Sequence, residues 1–116
     1  MKLEVGMYCY NKVNRKVGIG KITSFQNNNN LLISYKNDTE LVSIGNVIAS
    51  YDIMDLIEVG DILSYKHSAI NKIYKEVVNN KVTLEIFRKY FNEKSLELIS
   101  VVTHEQFENM EYRIGE

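Results

Sequence analysis

Short runs of Val, Ile, Leu, Tyr and Phe alternate with polar positions along most of the chain, and Gly or Asn clusters separate them. That is the period-two pattern of half-buried strands. Residues 7–12 and 61–66 alternate in this way, and residues 17–25 carry Gly18 and Gly20 inside a strand pattern, which predicts a bulge or sharp bend. Residues 31–36 and 82–89 read as two further strands, each preceded by an asparagine turn at 27–30 and 79–80. Asn suits such turns because it tolerates positive φ and bonds its own backbone. Residues 36–39 predict another turn of this kind. One segment reads plainly as helix: Thr103-His104-Glu105-Gln106 has the capping-box pattern, with Phe107 and Met110 following on one face. A helical turn is expected over residues 50–57, with Ile53, Met54 and Ile57 inward and Asp52 and Asp55 outward.

The two halves of the chain echo each other. Leu3-Glu4-Val5-Gly6 returns as Ile57-Glu58-Val59-Gly60, and Gly20-Lys21-Ile22 aligns with Asn71-Lys72-Ile73. An asparagine turn and an aromatic-ended strand follow in both halves, then Glu-Leu-Val-Ser at 40–43 and Glu-Leu-Ile-Ser at 97–100. The expected fold is therefore mainly β with minor α: two small barrel-like antiparallel modules in tandem, residues 1–56 and 57–116, the second divergent and ending in a short helix.

The first half resembles the small Src-homology-3-like barrels of the Tudor and KOW type. The residues that carry this are Val5-Gly6-Met7-Tyr8, Gly18-Ile19-Gly20-Lys21-Ile22, Leu32-Ile33-Ser34-Tyr35 and Glu40-Leu41-Val42-Ser43. The whole chain is also similar to small phage and prophage proteins of low-GC Gram-positive bacteria. Here the anchors are residues 1–8, residues 53–62 and the closing residues 102–116. No catalytic motif comes with that resemblance. It implies a phage–host setting, in which proteins of this size often inhibit host defences, as anti-CRISPR proteins do.

Composition narrows the field further. Apolar residues make up 45% of the 116 and charged residues 25%, enough apolar surface to offset the entropy of ordering a domain. A net charge of −1 argues against a uniformly basic, phosphate-seeking surface. The single cysteine, Cys9, excludes an internal disulfide framework and suits a reducing cytoplasm. Glu4 and Gly6 interrupt the place where a secretory signal would run apolar, so the expected location is the cytoplasm of the host cell.

Catalytic patterns are incomplete throughout. His67 and His104 are the only histidines, and Cys9 alternates with Tyr8 and Tyr10 as a core-facing thiol would. His104-Glu105 begins a zinc-type His-Glu-x-x-His, but Glu108 stands where the second histidine belongs. Gly18-Ile19-Gly20-Lys21 lacks the earlier glycine of a phosphate loop, where Arg15 stands instead. Asp52 and Asp55 read as solvated carboxylates. The expectation is a protein without catalytic residues, cofactor or metal.

Binding is better supported, because the charge is uneven. Residues 5–37 hold five basic side chains and no acidic one, and tyrosines are interleaved with them. Tyr8, Tyr10, Lys12, Arg15, Lys16, Lys21, Tyr35 and Lys36 form a candidate face for a partner or for nucleic acid, since rings stack bases and cations neutralise phosphates. On that reading, Lys12→Glu with Arg15→Glu abolishes nucleic-acid binding without unfolding. Glu93, Glu97, Glu105, Glu108 and Glu111 form a candidate acidic face toward a positively charged partner. A third class is a cyclic-nucleotide sponge using Arg88 or Arg113 as a phosphate fork and Tyr90 or Phe91 as a platform. The leading expectation is a non-enzymatic inhibitor that binds a host protein, with a weak nucleic-acid-binding β-barrel as the alternative.

Overall fold

A computed structural model describes residues 2–110 and divides the chain into two compact units, Met1–Leu56 and Ile57–Glu116. Unit 1 contains β1 (Tyr8–Asn11), β2 (Gly20–Phe25), β3 (Asn30–Ser34), β4 (Thr39–Ser43) and β5 (Val47–Ser50). Turns of 3-10 helix cover Arg15–Val17, Ile44–Asn46 and Ile53–Leu56. Unit 2 contains β6 (Ile62–His67), β7 (Ile73–Val77), α1 (Lys81–Asn92), β8 (Leu96–Val102) and α2 (His104–Met110). The fold is mainly β, with two antiparallel sheets and a short C-terminal helix, as the period-two pattern predicts. No helix among the described residues is long and apolar enough to cross a membrane.

The sheet of unit 1 runs β4-β3-β2-β1-β5, and among the described residues no ladder joins β4 to β5. It is an open sheet and not a closed barrel. Alternation sends Met7, Cys9, Ile22, Leu31, Ile33, Val42, Val47 and Ala49 into one core. The expected bend falls in β2, where Ile22 pairs with Ile33 and Ser24 with Leu32, leaving Thr23 as the extra residue of a bulge. The asparagine loop closes the β2–β3 hairpin as an Asx turn, with Asn27 Oδ1 accepting the amides of Asn29 (2.8 Å) and Asn30 (2.9 Å).

Both units open on the same turn. In unit 1 the Met7 amide donates to Glu4 O, Gly6 N to Ile22 O, and Ile22 N to Met7 O. In unit 2 Asp61 N donates to Glu58 O, Gly60 N to Val78 O, and Val78 N to Asp61 O. Gly6 (φ +95°) and Gly60 (φ +101°) occupy the left-handed position that such a turn requires. These bonds make Val78, and not Ile73, the counterpart of Ile22, so the sequence alignment of the second strands is five residues out of register.

The repeat ends where residues 82–89, expected as a strand, form α1. Asn80 is a helix cap and not a hairpin residue: its side chain accepts the Thr83 amide at 2.8 Å. The segment then reads at helical spacing, with Val82, Ile86 and Tyr90 on one flank and Thr83 and Phe87 on the next. Phe87 is buried against Tyr65 of β6, with ring centroids 5.3 Å apart. The turn expected over 50–57 is the 3-10 turn Ile53–Leu56, and it buries Met54 and Leu56 while Ile53 stays half-buried. The capping box holds: Thr103 N donates to Gln106 Oε1 (2.8 Å) and Gln106 N to Thr103 Oγ1 (3.1 Å).

α1 ends in a Schellman arrangement, with Ser95 N donating to Tyr90 O and Lys94 N to Phe91 O. The left-handed residue of that motif is Lys94, at φ 61°. A side chain there is strained, and glycine removes the strain at the cost of a more flexible unfolded chain. We expect Lys94→Gly to stabilise unit 2 by about 0.5–1 kcal/mol, read as a higher urea midpoint at unchanged slope.

Candidate functional site

The predicted basic and aromatic residues of unit 1 separate into two groups. Tyr8, Lys21, Tyr35 and Lys36 come together around a shallow hollow of about 300 Å³. Tyr8 and Lys21 are cross-strand partners, and the Lys21 ammonium lies 4.8 Å from the Tyr8 ring centroid. Gly20 forms the floor: a Cβ there would stand 2.4 Å from Ser34 O and 2.9 Å from Tyr35 Cδ1. The Tyr35 hydroxyl donates to Glu40 Oε1 at 2.9 Å, and burial first, then Glu40, raises its pKa. The hollow therefore offers two exposed ammonium groups and two rings, one of them a tyrosine held protonated.

The second group lies elsewhere on unit 1. Lys12 and Lys16 are exposed on the β1–β2 connection, and Tyr10 is half-buried beneath the Arg15 guanidinium at 4.8 Å. Arg15 itself is buried, with 6% of its surface exposed, and its Nη2 donates to Leu56 O at 2.8 Å. It ties the 3-10 turn Ile53–Leu56 to the β1–β2 connection. Arg15 is thus a structural residue and not a surface contact, so Arg15→Glu buries an unpaired carboxylate and unfolds unit 1. Sequence position could not show this, because the partner carbonyl lies 41 residues away.

Cys9 is fully buried, and desolvation pushes its thiol up to about 12, so no thiolate is present near neutral pH. Asp52 and Asp55 are exposed and make local bonds: Asp52 Oδ1 accepts the Met54 amide, and Asp55 Oδ2 the Ser50 hydroxyl.

In unit 2 a concavity of about 630 Å³ lies between α1 and the sheet. Its aromatic walls are Tyr65, Tyr74, Phe87 and Tyr90, and Glu76 and His67 supply polar groups. Tyr65 and Tyr74 face each other across the β6–β7 ladder with centroids 5.7 Å apart, and the Tyr65 hydroxyl donates to Glu76 Oε1. Of these residues only Tyr90 was singled out from the sequence. The signals for the others were Tyr74 and Glu76 two apart on one strand face, and the helical spacing of residues 82–90 hidden by the strand reading. Of the sponge residues, Phe91 packs on Phe87 and Tyr65, Arg88 is drawn to Glu85 at 3.8 Å, and Arg113 lies outside the described residues.

The acidic candidates spread over three elements. Glu93 caps α1, Glu97 on β8 faces Lys66 at 3.4 Å, and Glu105 and Glu108 lie on α2; Glu111 is outside the described residues. His104 Nδ1 stands 3.0 Å from Asp61 Oδ1 and 3.1 Å from Glu105 Oε1. Glu58, His104 and Glu105 have ligand atoms within 4.8 Å of one another, the one such group among the described residues. The fully buried Asp61 holds two of them, accepting the His104 amide (3.0 Å) and the Glu58 amide (2.8 Å).

Comparison with protein-family models, curated proteins and solved structures yields no match for this chain.

Asp61 fastens the start of α2 to the turn that opens unit 2. Asp61→Asn substitutes an amide donor for one acceptor oxygen and should cost about 2–3 kcal/mol. It should also speed hydrogen exchange at the Gln106 and Phe107 amides more than at the β6 amides. Uniform protection across both would show that Asp61 does not anchor α2.

Proposed function

We propose that this is a non-enzymatic interaction protein that acts by direct binding of another protein, through the α1 flank and the aromatic pocket of unit 2. One observation carries the reading: Val82, Ile86 and Tyr90, at i, i+4 and i+8 of α1, are 69%, 49% and 43% exposed. Ile86 and Tyr90 also line the pocket, so helix flank and pocket form one continuous apolar surface. Apolar surface of this kind, rimmed by Lys81, Glu85 and Lys89, has the composition of a docking patch. The resemblance to small phage proteins supplies the setting: inhibition of a host defence enzyme, CRISPR-type or otherwise acting on nucleic acid, in the host cytoplasm.

Tagged protein incubated with nuclease-treated lysate of a low-GC Gram-positive host should retain one protein near stoichiometric amounts. Ile86→Asp, at a half-exposed position, should abolish retention while leaving the circular dichroism spectrum unchanged. Retention indifferent to Ile86→Asp would defeat the reading.

The hollow of unit 1 favours a second reading, weak nucleic-acid binding, because Lys21 and Lys36 flank two ring faces there. Two phosphate contacts predict a salt slope of about −1.4 for a single strand. Lys21→Glu with Lys36→Glu should abolish anisotropy changes with short RNA or DNA. Binding that survives both changes places the contact elsewhere.

A further inference from the structure

Residues 64–90 hold six basic side chains, yet none of them lines the 630 Å³ pocket. Lys66 is drawn to Glu97, Arg88 to Glu85, and Lys72 sits over the Tyr74 ring at 5.3 Å. The formal charge on the pocket wall is the Glu76 carboxylate. Its Oε1 accepts the Tyr65 hydroxyl, and its Oε2 has no partner among the described residues. Burial, then Glu76, pushes the Tyr65 hydroxyl up to about 12, so Tyr65 remains the donor. His67 Nδ1 accepts the Ala69 amide at 3.3 Å.

A concavity walled by aromatic faces, with an oriented carboxylate and no lysine or arginine among its lining residues, is electrostatically complementary to a cation. Among cations, a planar guanidinium matches it best, because it stacks on rings and pairs edge-on with a carboxylate. The Lys72 ammonium over Tyr74 is the same attraction within the chain. We infer that this pocket receives an arginine side chain of the protein partner, stacked on the exposed Tyr90 ring and paired with Glu76 Oε2. This rests on the reading of the α1 flank as a protein-docking surface and names the group that the surface grips. The pocket volume lies within the range of small-ligand sites, so it admits the side chain together with adjoining backbone.

The test is an NMR titration of labelled full-length protein with acetyl-Gly-Arg-Gly-amide and with its citrulline counterpart, which exchanges the guanidinium for a neutral urea of the same shape. The arginine peptide should shift the Tyr74, Glu76 and Tyr90 amides saturably, and the citrulline peptide should bind about tenfold more weakly. Glu76→Gln should shrink that gap to about threefold or less, and Tyr90→Ala should weaken the arginine peptide about two- to fivefold. Equal binding of the two peptides, a gap that survives Glu76→Gln, or no saturable shift at these amides overturns the inference. The lysate experiment separates it from the docking reading. A retained protein sensitive to Ile86→Asp, with peptides that are not distinguished, keeps the docking surface and removes arginine recognition. Discrimination between the peptides, with no protein retained, keeps the pocket and removes the docking surface.

Discussion

The glycine turn that begins each unit fixes where the first strand of each sheet starts and which residue of the second strand it meets. Gly6 and Gly60 hold positive φ, and the residue after each closes two backbone bonds, one back to the glutamate of the turn and one across to the neighbouring strand segment. Even the side-chain contact recurs: Glu4 N points at Met7 Sδ (3.2 Å), and Glu58 N donates to Asp61 Oδ2 (2.8 Å). The two copies differ in what that position does next. Met7 is one more apolar member of the unit 1 core. Asp61 is a buried carboxylate, which is tolerable only if its oxygens are met by donors. The Glu58 amide meets Oδ2 and the His104 amide meets Oδ1, which the imidazole Nδ1 also approaches, and so the same turn that starts a sheet in unit 1 also recruits a helix in unit 2.

The parts of the fold that were legible in the sequence are those decided within a few residues. Strand alternation around Cys9, Ile22 and Ile33, the Asx turn at Asn27, and the reciprocal cap between Thr103 and Gln106 all involve partners close in sequence or a simple inside–outside period. The strand reading of residues 82–89 failed because a short apolar run fits either period, and its β-branched and aromatic content favoured the strand. The arbiter was Asn80, whose side chain bonds Thr83 where a hairpin turn was expected. Arg15 was misplaced for a different reason: a basic residue in a basic stretch reads as surface until a distant carbonyl, here Leu56 O, is seen to hold it. The aromatic pocket was illegible because it needs the β6–β7 register and the helix together.

Among the described residues the two cores are unequal. Unit 1 buries ten apolar side chains among the described residues, and unit 2 buries five: Ile57, Leu63, Tyr65, Val78 and Phe87. Phe87 is the one fully buried residue of α1, and the adjoining flank carries Val82 and Ile86. A helix that leaves a β-branched stripe in water gains little from its own packing, since most helical stability in proteins comes from burying an apolar face. Glu76 is in a similar position: its carboxylate is oriented by Tyr65 but only half used.

These two shortfalls lie at one place, the wall and rim of the same pocket, and a partner that covers α1 while filling the pocket makes up both. Binding of that kind would stabilise unit 2 by mass action. Unit 1 needs no such help. Its sheet packs a continuous apolar cluster, Arg15 closes the connection over the Tyr10 ring, and its hollow is shallow and floored by Gly20. The division of labour follows from one substitution of character at equivalent turns: an apolar residue where the unit completes its own core, and a charged one where the unit spends its turn on holding a helix.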